Sequence, residues 1–453
     1  MTGRTERTEH LVLGWSLDSR QLGWLDSVDR VPGTWNPQLH SCLACCIRDP
    51  FQEPRATEEP FQTPKWQGAL FLTQNRLMSL RVLVAPDKFK GTLTAQEAAG
   101  AIVNGWWGAR PQDEMEMLPI SDGGDGFGQV MASLMGAQEY VCATVDAAHR
   151  PIGARWWWLA EQRLAIIEAA QIIGLAMLPP KKYHPFELDT QGLGPVIQAA
   201  VQAGAQTVLL GIGGSATNDG GFGLAQSLGW RFFDDRDQLI DKWVRLNKLT
   251  RWLPPLDPIL GVDFIVAVDV ENPLLGLNGC SRIFGPQKGL LPAQFPIAEA
   301  PLERLALRAS ERLGFDVASS PGCGAAGGLG FGLHVFLEAR MEPGFEIFAQ
   351  HSRIDEKIAK ADIIITGEGM IDQQTLMGKG TGRLAQRCQA MSKRCVGLAG
   401  MVEGAAKTQT ADRLFYAVHD ISPGLTNPTE AKKNAALWLE RLSHKVANDY
   451  DWS

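Results

Sequence analysis

The sequence has no basic excess. Its 43 Lys and Arg stand against 50 Asp and Glu, for a formal charge of -7 at pH 7. That excludes a protein that grips a nucleic-acid backbone by bulk charge, although local cations can still line a cleft for a small anion. No run of about 18 uncharged apolar residues occurs, so nothing in the sequence reads as a membrane span. The apolar stretch after Arg4 and Arg7, Leu11 to Leu13, is too short for a secretory signal. Cysteine is thin, with eight in 453 residues. Cys42, Cys45 and Cys46 sit together and the other five are isolated, which is the pattern of a reduced, cytoplasmic protein without a disulfide framework. Cys42-x-x-Cys45 has no second ligand pair at zinc-finger spacing.

Several catalytic signatures are also missing. No Gly-x-Ser-x-Gly elbow is present, which excludes the usual α/β-hydrolase. No His-x-x-x-His pair occurs among the eight His. Counting back from Gly378-Lys379, the first glycine of a Walker A loop falls on Gln373, and the residue after the lysine is Gly380. Gly211-x-Gly213 continues to Ala216 rather than glycine, so the dinucleotide fingerprint fails. Internal repeats and low-complexity tracts are absent.

What is present is a soluble-globular composition, 45% apolar and 21% charged, in a chain long enough for two domains. Residues 1–77 are rich in proline and lack periodicity, and they read as a poorly ordered extension or a product of start-codon choice. From Leu80 the text changes to short apolar runs alternating with helical patterns. Strands are predicted at 80–85, 141–144, 165–168, 207–212, 264–269, 363–366 and 396–399. Helices are predicted at 94–107, 124–135, 192–203, 220–229, 300–313, 380–391 and 429–447. Such alternation means an α/β fold with mostly parallel sheets, whose ligands bind beyond the strands' carboxyl ends. The stretch 141–158, with Trp156-Trp157-Trp158, reads as a hairpin, and 230–262 as an irregular connection.

The most informative segment is Gly211-Ile-Gly-Gly-Ser-Ala-Thr-Asn-Asp-Gly-Gly221, directly after an apolar run. Glycine lets backbone N–H groups approach an anion, and a following helix N-terminus adds positive potential. Gly213, Gly214, Ser215 and Thr217 are therefore candidate phosphate ligands. Asp87, Lys88 and Lys90 follow the first strand, where they suit an anionic substrate or simply a solvated turn. Asp122 and Asp125 flank Gly123-Gly124, where oxygen ligands for Mg²⁺ and ordinary turn chemistry are equally good readings. Asp269 ends an apolar run, and Ser281, Arg282 and Lys288 follow in Cys280 to Gly289. Thr366-Gly367-Glu368-Gly369, with Asp372, Gly378 and Lys379, forms a further cluster. Pro321 to Gly330 is glycine-rich and reads best as close helix packing.

In this order, Val84 to Gly91, Asp122 to Gly126, Gly211 to Gly221, Ser281 to Gly289 and Thr366 to Lys379 resemble the glycerate kinases of the bacterial glycerate 2-kinase type, over Ser79 to about Ser443. The resemblance implies two α/β domains, a discontinuous Rossmann-like parallel sheet (78–140 and 345–453) with a mixed α/β domain inserted (141–344), and a cleft between them. It implies phosphoryl transfer from ATP, with Mg²⁺, to D-glycerate, giving 2-phosphoglycerate. On this reading Gly213, Gly214, Ser215, Thr217, Gly367, Glu368 and Lys379 hold phosphates or nucleotide. Asp122, Asp125 and Asp269 would hold the metal. Lys90, Ser281, Arg282 and Lys288 would hold glycerate and the transferring charge, and Asp219, or next Asp87, would accept the hydroxyl proton. A homodimer is the assembly to test for. The family pattern has Ser where Lys88 stands and Arg where Met370 stands, and residues 184–195 depart from its Thr/Ser-rich helix start. These departures bear on acceptor choice: a kinase of another small hydroxy acid, and a non-catalytic metabolite binder, are the alternatives.

Overall fold

The computed structural model describes residues 79–378, 380–404 and 414–452. The predicted extension over 1–77 and Lys379 lie outside the described residues. Thirteen strands are described: β1 (Arg81–Val84), β2 (Glu114–Met117), β3 (Gln138–Val145), β4 (Pro151–Leu159), β5 (Leu164–Glu168), β6 (Thr207–Gly211), β7 (Arg231–Phe233), β8 (Arg251–Leu253), β9 (Asp263–Ala267), β10 (Arg340–Glu342), β11 (Ile363–Ile371), β12 (Arg394–Val402) and β13 (Ala417–Ser422).

Five of them, in the order β13-β12-β11-β1-β2, make an all-parallel sheet assembled from both ends of the described chain. The apolar runs of β1 and β11 are buried because helices cover both faces, as a parallel sheet requires. Six strands, in the order β10-β9-β6-β5-β4-β3, make a mixed sheet. It is parallel from β10 to β5 and antiparallel from β5 to β3. The fold is thus α/β with one parallel and one mixed sheet. The predicted hairpin is β3 and β4, paired in register from Gln138↔Trp158 to Val145↔Pro151.

A few helices begin where side chains satisfy their free N–H groups. Thr94 and Glu97 form a reciprocal capping box for the helix Ala95–Ala109. That helix lies against Ala435–Asp449, where Ser443 Oγ donates to Ile102 O at 2.7 Å. The single helix predicted at 429–447 divides at Asn434 into Pro428–Lys433 and Ala435–Asp449. The predicted connection at 230–262 contains the two-stranded ribbon β7–β8, whose Phe232 and Trp252 pack with Phe336. Three-residue strands are too short to show alternation in sequence. No helix among the described residues is long and apolar enough to cross a membrane.

The two sheets share a core. Leu83 and Ile364 of the parallel sheet and Ile166, Leu209 and Ala267 of the mixed sheet belong to one buried cluster with Phe127, Phe345 and Phe348. This cluster fixes the carboxyl ends of β1 and β11 near those of β5, β6 and β9.

Candidate active site

The motif-bearing segments lie where the parallel strands end. Pro86 to Gly91 follows β1, Ile212 to Gly221 follows β6, and Asp269 lies just beyond β9. Thr366-Gly367-Glu368-Gly369 is an exception: it forms part of β11 itself, paired with Gly397 to Ala399 of β12.

The loop after β6 turns on glycines at positive φ, Gly214 (+79°), Gly220 (+65°) and Gly221 (+78°). Gly213 N–H donates to Gly123 O at 3.1 Å, which docks the loop on the segment 121–126. A Cβ at Gly214 would overlap Asp125 Oδ1. Gly214 itself is exposed, while Ser215 and Thr217 beside it are buried. Behind the loop lies Lys288, 6% exposed, whose Nζ donates to Thr217 O (2.7 Å) and Ser215 Oγ (3.2 Å). Burial pushes its pKa down to about 8, against the attraction of Cys280 and Asp219. Thr217 Oγ1 and Asn218 Oδ1 are buried with no hydrogen-bond partner, and such groups are costly to leave unpaired. Asn218 Nδ2 donates to the buried Ser281 Oγ at 2.9 Å. The glycine-rich segment 321–330 packs beneath, since a Cβ at Gly327 would overlap Thr217 O.

Asp219 is fully buried. Its Oδ2 accepts from Thr190 Oγ1 (2.8 Å), Thr190 N (3.0 Å) and Gly223 N (2.9 Å), and its Oδ1 from Gly221 N (3.2 Å). Burial, aided by Asp189, pushes its pKa up to about 6. It heads the helix Phe222–Ser227 and pins Thr190, a residue from the segment that departs from the family pattern.

The segment 121–126 joins the two sheets. Asp122 Oδ1 accepts from Gly124 N at 3.1 Å and lies 3.8 Å from Lys88 Nζ, which is also 3.8 Å from Asp87 Oδ1. A Cβ at Gly123 would lie 2.7 Å from Ala267 O at the end of β9. Glu168, at the end of β5, accepts from Gly126 N (2.8 Å) and Gly128 N (3.0 Å), and so caps the helix Phe127–Met135. Burial raises the Glu168 pKa.

On the β11 side, Asp87 N donates to Gly367 O at 2.8 Å. Glu368 accepts from Thr375 Oγ1 at 2.8 Å and from Thr381 Oγ1. Burial first, and then repulsion from Asp87 and Asp372, push its pKa up to about 7. Asp372 caps the short helix Gln373–Leu376. Lys90 is exposed.

The structure therefore brings Asp87, Asp122, Asp125, Gly213, Gly214, Ser215, Thr217, Ser281 and Lys288 into one connected set. Arg282 is engaged elsewhere, with its Nε and Nη2 each 3.0 Å from the Glu299 carboxylate. Asp269 is half-buried beyond β9, and Asp122, Asp125 and Asp269 do not form a joint site. Among the described residues no three His, Cys, Asp or Glu side chains are disposed to hold a metal ion. A divalent ion shared by those three carboxylates does not fit this arrangement. Thr190, Glu168, Glu299 and the reach of Lys88 were not signalled by any local motif, because each meets its partner through the fold.

A glycine loop at the end of a parallel strand, a buried lysine behind it and carboxylates across from it thus lie together in an α/β fold. Comparison with known proteins gives its family. The glycerate kinase family profile matches residues 82–451. A glycerate kinase of Halalkalibacterium halodurans is 35% identical over 82% of this chain and 98% of its own. A glycerate 2-kinase of Escherichia coli K12 is 37% identical over 71% of this chain and 85% of its own. A crystal structure named for glycerate kinase 2 of Salmonella typhimurium LT2 matches at TM-score 0.68 and 32% identity, covering 82% of this chain and 98% of that one. The chain belongs to the glycerate kinase family, and it is a kinase.

Proposed function

We propose that this chain transfers the terminal phosphoryl group of ATP, supplied with Mg²⁺, to the 2-hydroxyl of D-glycerate. The observation that supports this reading best is the path that runs from Asp87 and Lys88 to Asp122, from its chain neighbour Gly123 to Gly213, and along that loop to Ser215 and Lys288. It sets a carboxylate, an anion-binding loop and a partly deprotonatable lysine along one path, and phosphoryl transfer mainly needs such positioning and charge neutralisation.

In this proposal the exposed peptide group of Gly214, with Ser215 and Thr217 beside it, receives phosphate oxygens, and Gly213 holds the loop in place through its N–H bond to Gly123 O. Lys288 counters the charge that builds on the transferring group. Gly367, Glu368 and Lys379 serve the nucleotide. Lys90, with Ser281, serves the glycerate carboxylate; Arg282 acts by holding the 281–289 segment to Glu299. Asp87 is the better proton acceptor of the two candidates. Asp219 is enclosed, with four hydrogen bonds on its two oxygens, and suits a positioning residue for the loop. No step is assigned to a metal held by Asp122, Asp125 and Asp269.

The expected division into 78–140 with 345–453, and 141–344, is retained as a proposal. It is supported by β1, β2 and β11–β13 falling in the first part and nearly all of β3–β10 in the second. The test of the reaction is ADP formation by the full chain with ATP, Mg²⁺ and a panel of small hydroxy acids. ADP that appears with D-glycerate alone supports the proposal, and ADP that appears only with another acid replaces the acceptor.

A further inference from the structure

Lys88 has no place in the roles above, yet its position is specific. Its backbone N–H donates to Asp87 Oδ1 at 2.7 Å, and its side chain crosses to the 121–126 segment. Nζ stands 3.8 Å from Asp87 Oδ1 and 3.8 Å from Asp122 Oδ1, with 20% of the side chain exposed. A Cβ at Gly124 would lie 3.2 Å from the same Nζ, so the ammonium rests against the loop backbone. At 3.8 Å it is beyond hydrogen-bond reach of either oxygen but in direct charge contact with both. Asp87 and Asp122 come from different segments, after β1 and before the helix Phe127–Met135, and two largely buried carboxylates facing each other need a positive charge between them. A divalent ion would use the same two oxygens at about 2.0–2.6 Å. The lysine already occupies that place, and its compact charge on a flexible stem suits it.

We propose that the Lys88 ammonium is the resident cation of the Asp87–Asp122 pair, tying the β1 loop to the 121–126 segment, so that these carboxylates bind no divalent ion of their own and Mg²⁺ enters only with the nucleotide. The proposal rests on the reading of this cleft as the kinase site. It follows that removing the ammonium creates a divalent-metal site where the wild-type chain has none.

The experiment is a titration of the full chain with Mn²⁺ in the absence of nucleotide, with free Mn²⁺ followed by electron paramagnetic resonance. The wild type is expected to leave Mn²⁺ free. Lys88→Ser and Lys88→Met are expected to take up about one equivalent, at least tenfold more tightly than wild type. Lys88→Arg, which keeps the charge, is expected to behave as wild type, and Lys88→Ser with Asp122→Asn is expected to lose the gained site. Lys88→Met preserves the stem's packing and serves if Lys88→Ser does not fold. Mg²⁺ is also expected to raise the melting temperature of the neutral variants and not that of the wild type, because binding to the folded state stabilises it. Wild-type binding as tight as that of the variants overturns the proposal. So does an absence of binding in both neutral variants, or a gained site that survives Asp122→Asn. None of these readouts needs turnover, so failure of the glycerate kinase reaction is a separate result.

Discussion

The pKa of Lys288 gives the proposal a quantitative handle. Burial pushes it from 10.5 down to about 8, so the side chain is mostly charged at pH 7 and mostly neutral at pH 9. If its charge is what counters the transferring phosphoryl group, kcat/KM for the free enzyme falls by about tenfold between pH 7 and pH 9. The sign for stability is the opposite. The folded chain binds fewer protons than the unfolded chain between about pH 8 and 10.5, so this group makes folding more favourable as pH rises through that window. Loss of activity above pH 8 therefore cannot be unfolding driven by Lys288. Lys288→Arg stays charged at every working pH and is expected to flatten the alkaline limb at whatever level of activity it retains. Lys288→Met is expected to lose about 10²–10³-fold in kcat with no alkaline limb. The assay is initial rate against pH at saturating and limiting glycerate, with melting temperatures recorded alongside. A limb that persists unchanged in both variants, or a wild-type profile flat to pH 9, refutes the reasoning.

Other perturbations separate the carboxylates and the loop. Asp87→Asn is expected to lower kcat by about 10²–10⁴-fold, as for a general base, with the melting temperature recorded alongside because the change also removes one of the two carboxylates beside Lys88. A loss below about threefold removes it from that role. Thr190→Val deletes the hydroxyl that donates to Asp219 Oδ2 and accepts from Leu224 N. It is expected to destabilise by about 2–4 kcal/mol, read by urea unfolding, because a buried charge-assisted bond is lost and an amide is left unpaired. A change below about 0.5 kcal/mol would contradict the positioning role given to Asp219. Gly214→Ala places a Cβ onto Asp125 Oδ1 at a positive φ. It is expected to raise KM for ATP at least tenfold, and unchanged kinetics would remove Gly214 from the phosphate loop.

The central strands β1, β6, β9, β11 and β12 were legible in the sequence because each is an apolar run closed by Gly, Pro or Asp. The two edge strands of the parallel sheet were not. β2 is Glu-Met-Glu-Met and largely exposed, and β13 carries His419 and Asp420 at half-buried positions. An edge strand has one unpaired side and no need of a continuous apolar run. The site divides in the same way. Loops whose backbone must approach an anion require glycine, and glycine is visible in one dimension. The side chains that hold those loops are remote in sequence: Thr190 for Asp219, Glu168 for Gly126 and Gly128, and Glu299 for Arg282. Nothing in the local text of Asp219 reveals that it is enclosed, and nothing beside Arg282 reveals that Glu299 already holds it.

The most direct test of the central claim follows the product rather than the nucleotide. The full chain is mixed with ATP, Mg²⁺ and D-glycerate, and product is followed through enolase with no phosphoglycerate mutase present. Immediate phosphoenolpyruvate formation is the result expected here, because enolase accepts the 2-phosphate. A signal that waits for added mutase means transfer to the 3-hydroxyl and contradicts the proposed regiochemistry; no signal in either case, with no ADP formed, contradicts the acceptor itself.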